Sequence, residues 1–278
     1  MSKSFTCVAL VVALAVVLAV TMVPGAAWAQ KDATASGDDE AELAKKLQNP
    51  IASLISVPMQ SNWDFGSGTT NAMRYTLNVQ PVIPFSLNQE WNLITRTIVP
   101  IIHAESPIPS GSTRSGLGDI TQSFFLSPSK PIGGWIVGAG PVFLYPSATD
   151  SALGGEKWGA GPTFVVLRQD SGWTYGMLAN HIESFAGAGS RADISATFLQ
   201  PFLSYTFKTY TTLGLNTEST YDWENKRWTV PLNATIAQLL KIGGQPIQFQ
   251  VGGRSYVDRP AGGPDWGLRF VVTLLFPK

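Results

Sequence analysis

The chain of 278 residues is poor in cysteine, histidine and charge. Charged residues make up 14% of it, well below the usual quarter or so for a globular domain. Basic and acidic residues balance at 19 each, with no basic stripe, so nucleic acid is not an expected partner. The one cysteine, Cys7, sits in the apolar run Cys7–Val23 (CVALVVALAVVLAVTMV). Lys3 precedes this run, Pro24-Gly25 breaks it, and Ala27-Trp28-Ala29 supplies an A-x-A cleavage site. This is the layout of a secretory signal peptide over residues 1–29. At about 17 residues the run is also near the minimum for a spanning helix. The cleavage site and the missing basic stop-transfer flank decide against an anchor. Removal of this segment leaves a mature chain without cysteine, which excludes disulfides and thiolate metal sites. Phe5-Thr6 ahead of Cys7 is not a lipoprotein cleavage context, so no lipid anchor is expected.

Motifs for chemistry are equally scarce. No G-x-S-x-G elbow occurs. Gly116-Leu117-Gly118 and Gly138-Ala139-Gly140-Pro141 lack the spacing of a phosphate or dinucleotide loop. The two histidines, His103 and His181, fall near strand ends, and Glu183 shares the face of His181. A polar pair at a rim accounts for them. No catalytic, cofactor-binding or metal-binding residue is expected, and the chain does not read as an enzyme. Gly-Ala-Gly-Pro occurs twice, ending at Pro141 and Pro162. It marks either a close approach of backbones or a ligand, or small residues relieving crowding in a curved sheet.

What the sequence does contain is aromatic residues, 11% of the chain with 9 Trp, and long alternating segments. Residues 30–50 form a polar periplasmic leader. Within it AELAKKLQ favours a short helix with Glu42 and Lys46 at i,i+4, and an unstructured tail is the other reading. From Ile51 the period becomes two. Leu213 and Leu215 oppose Gly214 and Asn216. Ile247, Phe249 and Val251 oppose Gln248, Gln250 and Gly252. Trp266, Leu268, Phe270, Val272, Leu274 and Phe276 form one apolar face. Alternation at 180° per residue is the strand signal. These runs match the ~9–11 tilted residues that cross a bilayer rather than the shorter strands of soluble sheets.

Connections alternate between short (86–90, 128–133, 169–172, 207–209, 241–245) and longer (64–71, 104–116, 147–156, 186–191, 224–226, 259–265). That asymmetry predicts tight periplasmic turns and longer external loops. The fold class expected over 51–278 is all-β, a transmembrane antiparallel up-and-down barrel of about twelve strands with both ends periplasmic. Phe85, Trp91, Trp135, Trp173, Tyr205, Tyr210 and Phe276 would form the periplasmic girdle. Trp63, Tyr145, Trp158, Phe185, Tyr221, Trp223, Trp228, Tyr256 and Trp266 would form the external one. Pro81, Pro100, Pro141, Pro162, Pro201 and Pro231 lie in or near strands and call for bulges or breaks. The segments 116–128 and 191–205 alternate poorly.

Arg74, Asn78, Gln80, Arg96, Asn216, Glu218, Gln248, Gln250, Arg254 and Arg269 fall on the polar face, with Asn92 and Asn233. Charges and amides are costly in lipid, so these residues should line the lumen. They would form either a polar conduit or a side-chain network plugging a narrow barrel. The loop 104–116 is read as the longest and as a candidate constriction, stiffened by Pro107 and Pro109.

The stretches GPVFLYPSATDSALGGEKWGAGPTFVVL, SFAGAGSRADISATFLQPFLSYTF, TLGLNTESTYDWENKRWTVPLN and GGPDWGLRFVVTLLFPK cover much of the expected barrel. They resemble a bacterial group of outer-membrane transporters labelled for the meta-pathway of phenol degradation, some of which carry the misleading name neuromedin U. The resemblance implies a β-barrel in the outer membrane and a transport role, and supplies no site residues. The partners it implies are outer-membrane lipids, the barrel-assembly machinery and a small-molecule solute. A lipase-like barrel enzyme and a structural or adhesive barrel are the rival classes.

Overall fold

The computed structural model describes residues 37–277; the expected signal peptide lies outside the described residues. One helix, α1 (Gly37–Lys46), precedes fifteen strand segments. These are β1 (Ile55–Ser67), β2 (Ala72–Val79), β3 (Val82–Ser86), β4 (Trp91–Ala104), β5 (Arg114–Leu117), β6 (Ile120–Pro128), β7 (Trp135–Tyr145) and β8 (Lys157–Asp170). They continue with β9 (Trp173–Gly187), β10 (Ser195–Thr206), β11 (Thr211–Thr217), β12 (Ser219–Asp222), β13 (Arg227–Ile242), β14 (Gln245–Asp258) and β15 (Trp266–Phe276). The segments β2 and β3, β5 and β6, and β11 and β12 run end to end, which leaves a twelve-strand wall. Every pairing is antiparallel, and β1 against β15 closes the barrel from Ile55↔Phe276 to Phe65↔Trp266.

The prolines explain the segmentation. Gln80-Pro81 separates β2 from β3. Pro100 faces a bulge: Ile101 pairs with Leu117, but Ile98 pairs with Thr121, so Gly118 and Asp119 together oppose one proline. Pro231 follows a register shift against β14. At Pro201 the ladder to the β11–β12 stave skips from Phe202↔Asn216 to Leu199↔Ser219. Pro141 and Pro162 pair with each other. The ladders on their far sides, to β6 and to β9, are interrupted at those levels. Each missing N–H thus falls where no ladder bond is made.

The repeated Gly-Ala-Gly-Pro serves the same end. A Cβ on Gly140 would lie 2.1 Å from the Phe124 carbonyl oxygen, and one on Gly161 would lie 1.9 Å from that of His181. Glycine is therefore required by backbone approach across the interrupted ladders.

Tight turns connect one end of the barrel, with Gly133-Gly134, Ser171-Gly172 and Gly243-Gly244 at positive φ. The other end carries the longer connections. The longest is 146–156, not 104–116, because β5 extends the wall to Arg114 and shortens that loop to 105–113. Exposed Leu213, Leu215, Leu232, Ile236, Val251, Leu268 and Phe270 clothe the outer wall. Aromatic pairs lie near its two ends, including Tyr221–Trp223 (4.7 Å) and Phe65–Trp266 (4.6 Å) at the long-loop end and Trp173–Tyr205 (4.9 Å) at the turn end. Tyr256 is not part of the external girdle. Its hydroxyl donates to Asp64 Oδ1 at 2.9 Å on the inner face.

Candidate functional site: the lumen

The inner face is divided lengthwise. One arc, built by β1, β2, β11 and β13–β15, is polar. Arg269 on β15 reaches Glu218, at the junction of β11 and β12, through Nη1–Oε1 (2.9 Å) and Nη2–Oε2 (2.7 Å). Arg254 on β14 donates to the same Oε2 at 2.7 Å and to Asp64 of β1 at 3.2 Å. Strands this far apart can meet only across the concave face. The remaining donors are also used: Arg269 Nε to Asn62 Oδ1 and Arg254 Nε to Asn233 Oδ1, each 2.8 Å, and Asn233 Nδ2 to Asn216 Oδ1 at 2.8 Å. The carboxylate of Glu218 is thus held by two buried guanidinium groups, whose side chains are 9% (Arg254) and 3% (Arg269) exposed. Lower in the barrel, Arg96 donates to Gln80 at 2.8 Å.

Of the residues expected in the lumen, Asn216, Glu218, Arg254 and Arg269 join one network, and Gln80 and Arg96 form a separate pair. Gln248 is buried, its Nε2 without a partner among the described residues. Gln250 lies beside it, and both line a cavity with Arg96. Asn78 pairs with Gln60 across β1 and β2. Arg74 stands apart near the long-loop end. Asp64, Asn62 and Tyr256 complete the network without having been singled out from the sequence. Their strands carry the right alternation, but only the register between distant staves shows what meets them.

The opposite arc is apolar. Val82, Ile94, Phe125, Val165, Leu167 and Leu178 are buried on the inside, with Ile136, Phe198 and Phe202 against them. This weakens the alternation of segments 116–128 and 191–205, where Phe125, Phe198 and Phe202 stand on the inner face beside Ser123, Ser127, Gln200 and Ser204 while Phe124, Leu126, Leu199 and Leu203 stand on the outer one.

The leader occupies the lumen at the turn end. Ile51 packs into the apolar arc. Ala44, Ala52 and Leu54 cluster with Leu239 and Leu275, joined by Leu43, Leu47 and Tyr210. Gln169 Nε2 donates to the Lys45 carbonyl at 2.7 Å. The leader carries the helix α1 (Gly37–Lys46) where the sequence suggested a short one, and it packs against the inner wall rather than hanging free. Ile51–Leu54, grouped with the barrel by sequence, are not strand and belong to this insert. Their apolar side chains find in the lumen the burial that a periplasmic tail would deny them. Two cavities flank the insert, of ≈ 160 and ≈ 170 Å³.

The outer rim brings together a pair that the sequence did not reveal. His103 Nδ1 lies 2.7 Å from Ser115 Oγ, across the β4–β5 ladder. His181 contacts Glu183 at 3.3 Å, as expected from their shared face, and also Thr197 Oγ1 at 2.9 Å. Among the described residues no group of three or more His, Cys, Asp or Glu is placed to hold a metal.

No family profile matches the chain, and no curated protein matches it. Among solved structures, an outer membrane channel from Pseudomonas putida superposes with a TM-score of 0.63 at 14% identity, over 81% of this chain and 96% of that one. The outer membrane phospholipase A of Escherichia coli aligns at a TM-score of 0.48 and 10% identity, over 86% of this chain and 98% of that one. With its closed twelve-strand wall, apolar outside and aromatic ends, the chain has an outer-membrane fold. It is an integral outer-membrane β-barrel. This agrees with the outer-membrane β-barrel expected from the resemblance and does not single out the phenol-degradation group.

Proposed function

We propose that this barrel is a passive channel for small molecules that carry a polar or anionic group on an apolar body, aromatic compounds among them. The observation that carries the reading is the two-sided lumen. Arg74, Arg254 and Arg269 share one arc with two carboxylates, Asp64 and Glu218, Arg96 of β4 adds a further positive charge beside Gln80, and the other arc offers apolar side chains. A net positive lining lowers the barrier for anions, and the apolar arc compensates the desolvated remainder of the solute. The likeness in fold to the outer membrane channel from Pseudomonas putida supports the same reading. Single-channel recording in planar bilayers, paired with uptake of small aromatic acids by cells with and without the protein, tests it. Expected are anion-preferring currents that weaken in Arg254→Glu and slower uptake on deletion. Absence of both sinks the channel.

A second reading rests on one contact. The Ser115–His103 pair at 2.7 Å is the geometry in which a serine hydroxyl can be activated by imidazole. Labelling of Ser115 by a fluorophosphonate, lost in His103→Ala, would support a hydrolase. An unlabelled wild-type protein excludes it.

A further inference from the structure

Under the long loops lies a cavity of ≈ 580 Å³, within the size range of small-molecule sites. Its floor is Arg74 and Ala72 of β2. Its roof is the loop 105–113, and Leu153 and Pro264 close its sides. The roof is fastened. Thr69 N donates to the Pro107 carbonyl at 3.0 Å and Thr70 Oγ1 to the Ser106 carbonyl at 2.7 Å, while Gly68 N, donating to the Gly262 carbonyl at 2.9 Å, ties the same turn to the loop that carries Pro264. A Cβ on Gly68, whose φ is +64°, would lie 2.1 Å from the Pro107 carbonyl oxygen, so only glycine allows the two loops to touch. The cavity is therefore a formed vestibule rather than a gap between loose loops.

Its charges are unequal in what they have left to give. Arg114 is paired with Asp150 at 3.4 Å. One carboxylate oxygen of Glu105 accepts the Met73 N–H at 2.8 Å. Asp64, which acts on Arg74 electrostatically, directs its hydrogen bonds to Arg254 and Tyr256. Arg74 itself is exposed to this space and makes no hydrogen bond or ion pair among the described residues. A guanidinium offers five donors in a planar fork that matches a carboxylate. Pro107, Ile108, Leu153 and Pro264 supply an apolar wall beside it. Inorganic anions would gain nothing from that wall, and neutral hydrocarbons would gain nothing from the fork.

We propose that this vestibule is a binding site for small organic monocarboxylates with an apolar body, and that Arg74 grips the carboxylate. The proposal names a solute class for the channel reading and rests on it only for the step after binding. The probe is benzoate, titrated by ligand-observed NMR against the full barrel in lipid nanodiscs, with benzyl alcohol as its uncharged counterpart. Saturable benzoate binding is expected in the wild type, weakened roughly tenfold or more in Arg74→Gln, as loss of a charge-assisted hydrogen bond implies. Arg74→Lys should keep part of it, and Ile108→Ser should weaken benzoate and benzyl alcohol alike. Heat-modifiable migration of each variant on gels establishes that the barrel has formed. Equal benzoate affinity in wild type and Arg74→Gln overturns the proposal, as does absence of saturable binding at millimolar benzoate. Planar-bilayer currents separate the two claims. Binding without current keeps the site and sinks the channel, whereas current with unchanged binding in Arg74→Gln does the reverse.

Discussion

At the scale of single residues, Glu218 is the group on which the polar arc depends. It neutralises Arg254 and Arg269 at once, and both would otherwise be buried cations without a carboxylate on that side. Removing one member of a buried ion pair costs about 3–5 kcal/mol, because its partner stays behind unpaired. Glu218→Leu is therefore expected to lower stability by about that amount in urea unfolding from detergent micelles. Adding Arg269→Met should recover a large part of the loss; an equal or greater loss in the double variant would show that the network does not act as described. A weaker, pH-dependent pin sits in the loop after β9. The Lys157 ammonium, 2.8 Å from Asp193, holds that carboxyl below its ordinary value of 3.8. Because the folded value is depressed, the stabilisation is fully present above about pH 3.8 and disappears as the pH falls through the lower folded value. Hydrogen exchange in residues 188–194 should rise only below that point, and Asp193→Asn should show the raised exchange already at neutral pH.

At the scale of elements, the strands define two faces with different tolerances. Leu215 is exposed on the wall, whereas Gln250 lines the inner cavity with Gln248 and Arg96. Arginine at mid-membrane costs roughly 2–4 kcal/mol on the lipid side, so Leu215→Arg should impair folding into bilayers while Gln250→Arg folds close to normally. Equal losses would mean that the faces are misassigned. These faces were readable from period-two alternation alone, as were the short and long connections and the need for breaks at Pro81, Pro100 and Pro231. The inward positions of Arg254 and Arg269 followed from the cost of charge in lipid. Other features depend on which staves lie opposite one another, and a single chain does not display that. Phe125 and Phe198 looked like failures of alternation because an apolar lumen arc removes the contrast between faces. Tyr256 looked like a girdle residue because its partner, Asp64, is 192 positions away. His103 and Ser115 became a pair only through the β4–β5 register.

At the scale of the whole molecule, the alternation of turns and loops gives the barrel a direction. Tags at Ser110 and Asp150 should be reached by antibody on intact cells, and a tag within 128–133 should not; the opposite result would invert the barrel. The leader then enters from the periplasmic end, where Ile51 anchors it in the apolar arc and Gln169 holds its helix. The flanking cavities, ≈ 160 and ≈ 170 Å³, are smaller than the roughly 300–1,000 Å³ of ordinary small-molecule sites. Passage of an organic solute past the insert is therefore predicted to become easier when the insert shifts. Its hold is modest in kind: one apolar anchor, one small cluster and a hydrogen bond to a backbone carbonyl. Burying a side chain such as Ile51 is worth roughly 1.5–3 kcal/mol, so Ile51→Asn should raise the population of displaced leader about tenfold or more. In planar bilayers this should appear as more frequent or larger openings than in the wild type. Deletion of 37–50 should give a persistently open pore of still higher conductance. If both variants fold and conduct as the wild type does, the insert does not control the pathway, and solutes must leave the lumen by another route.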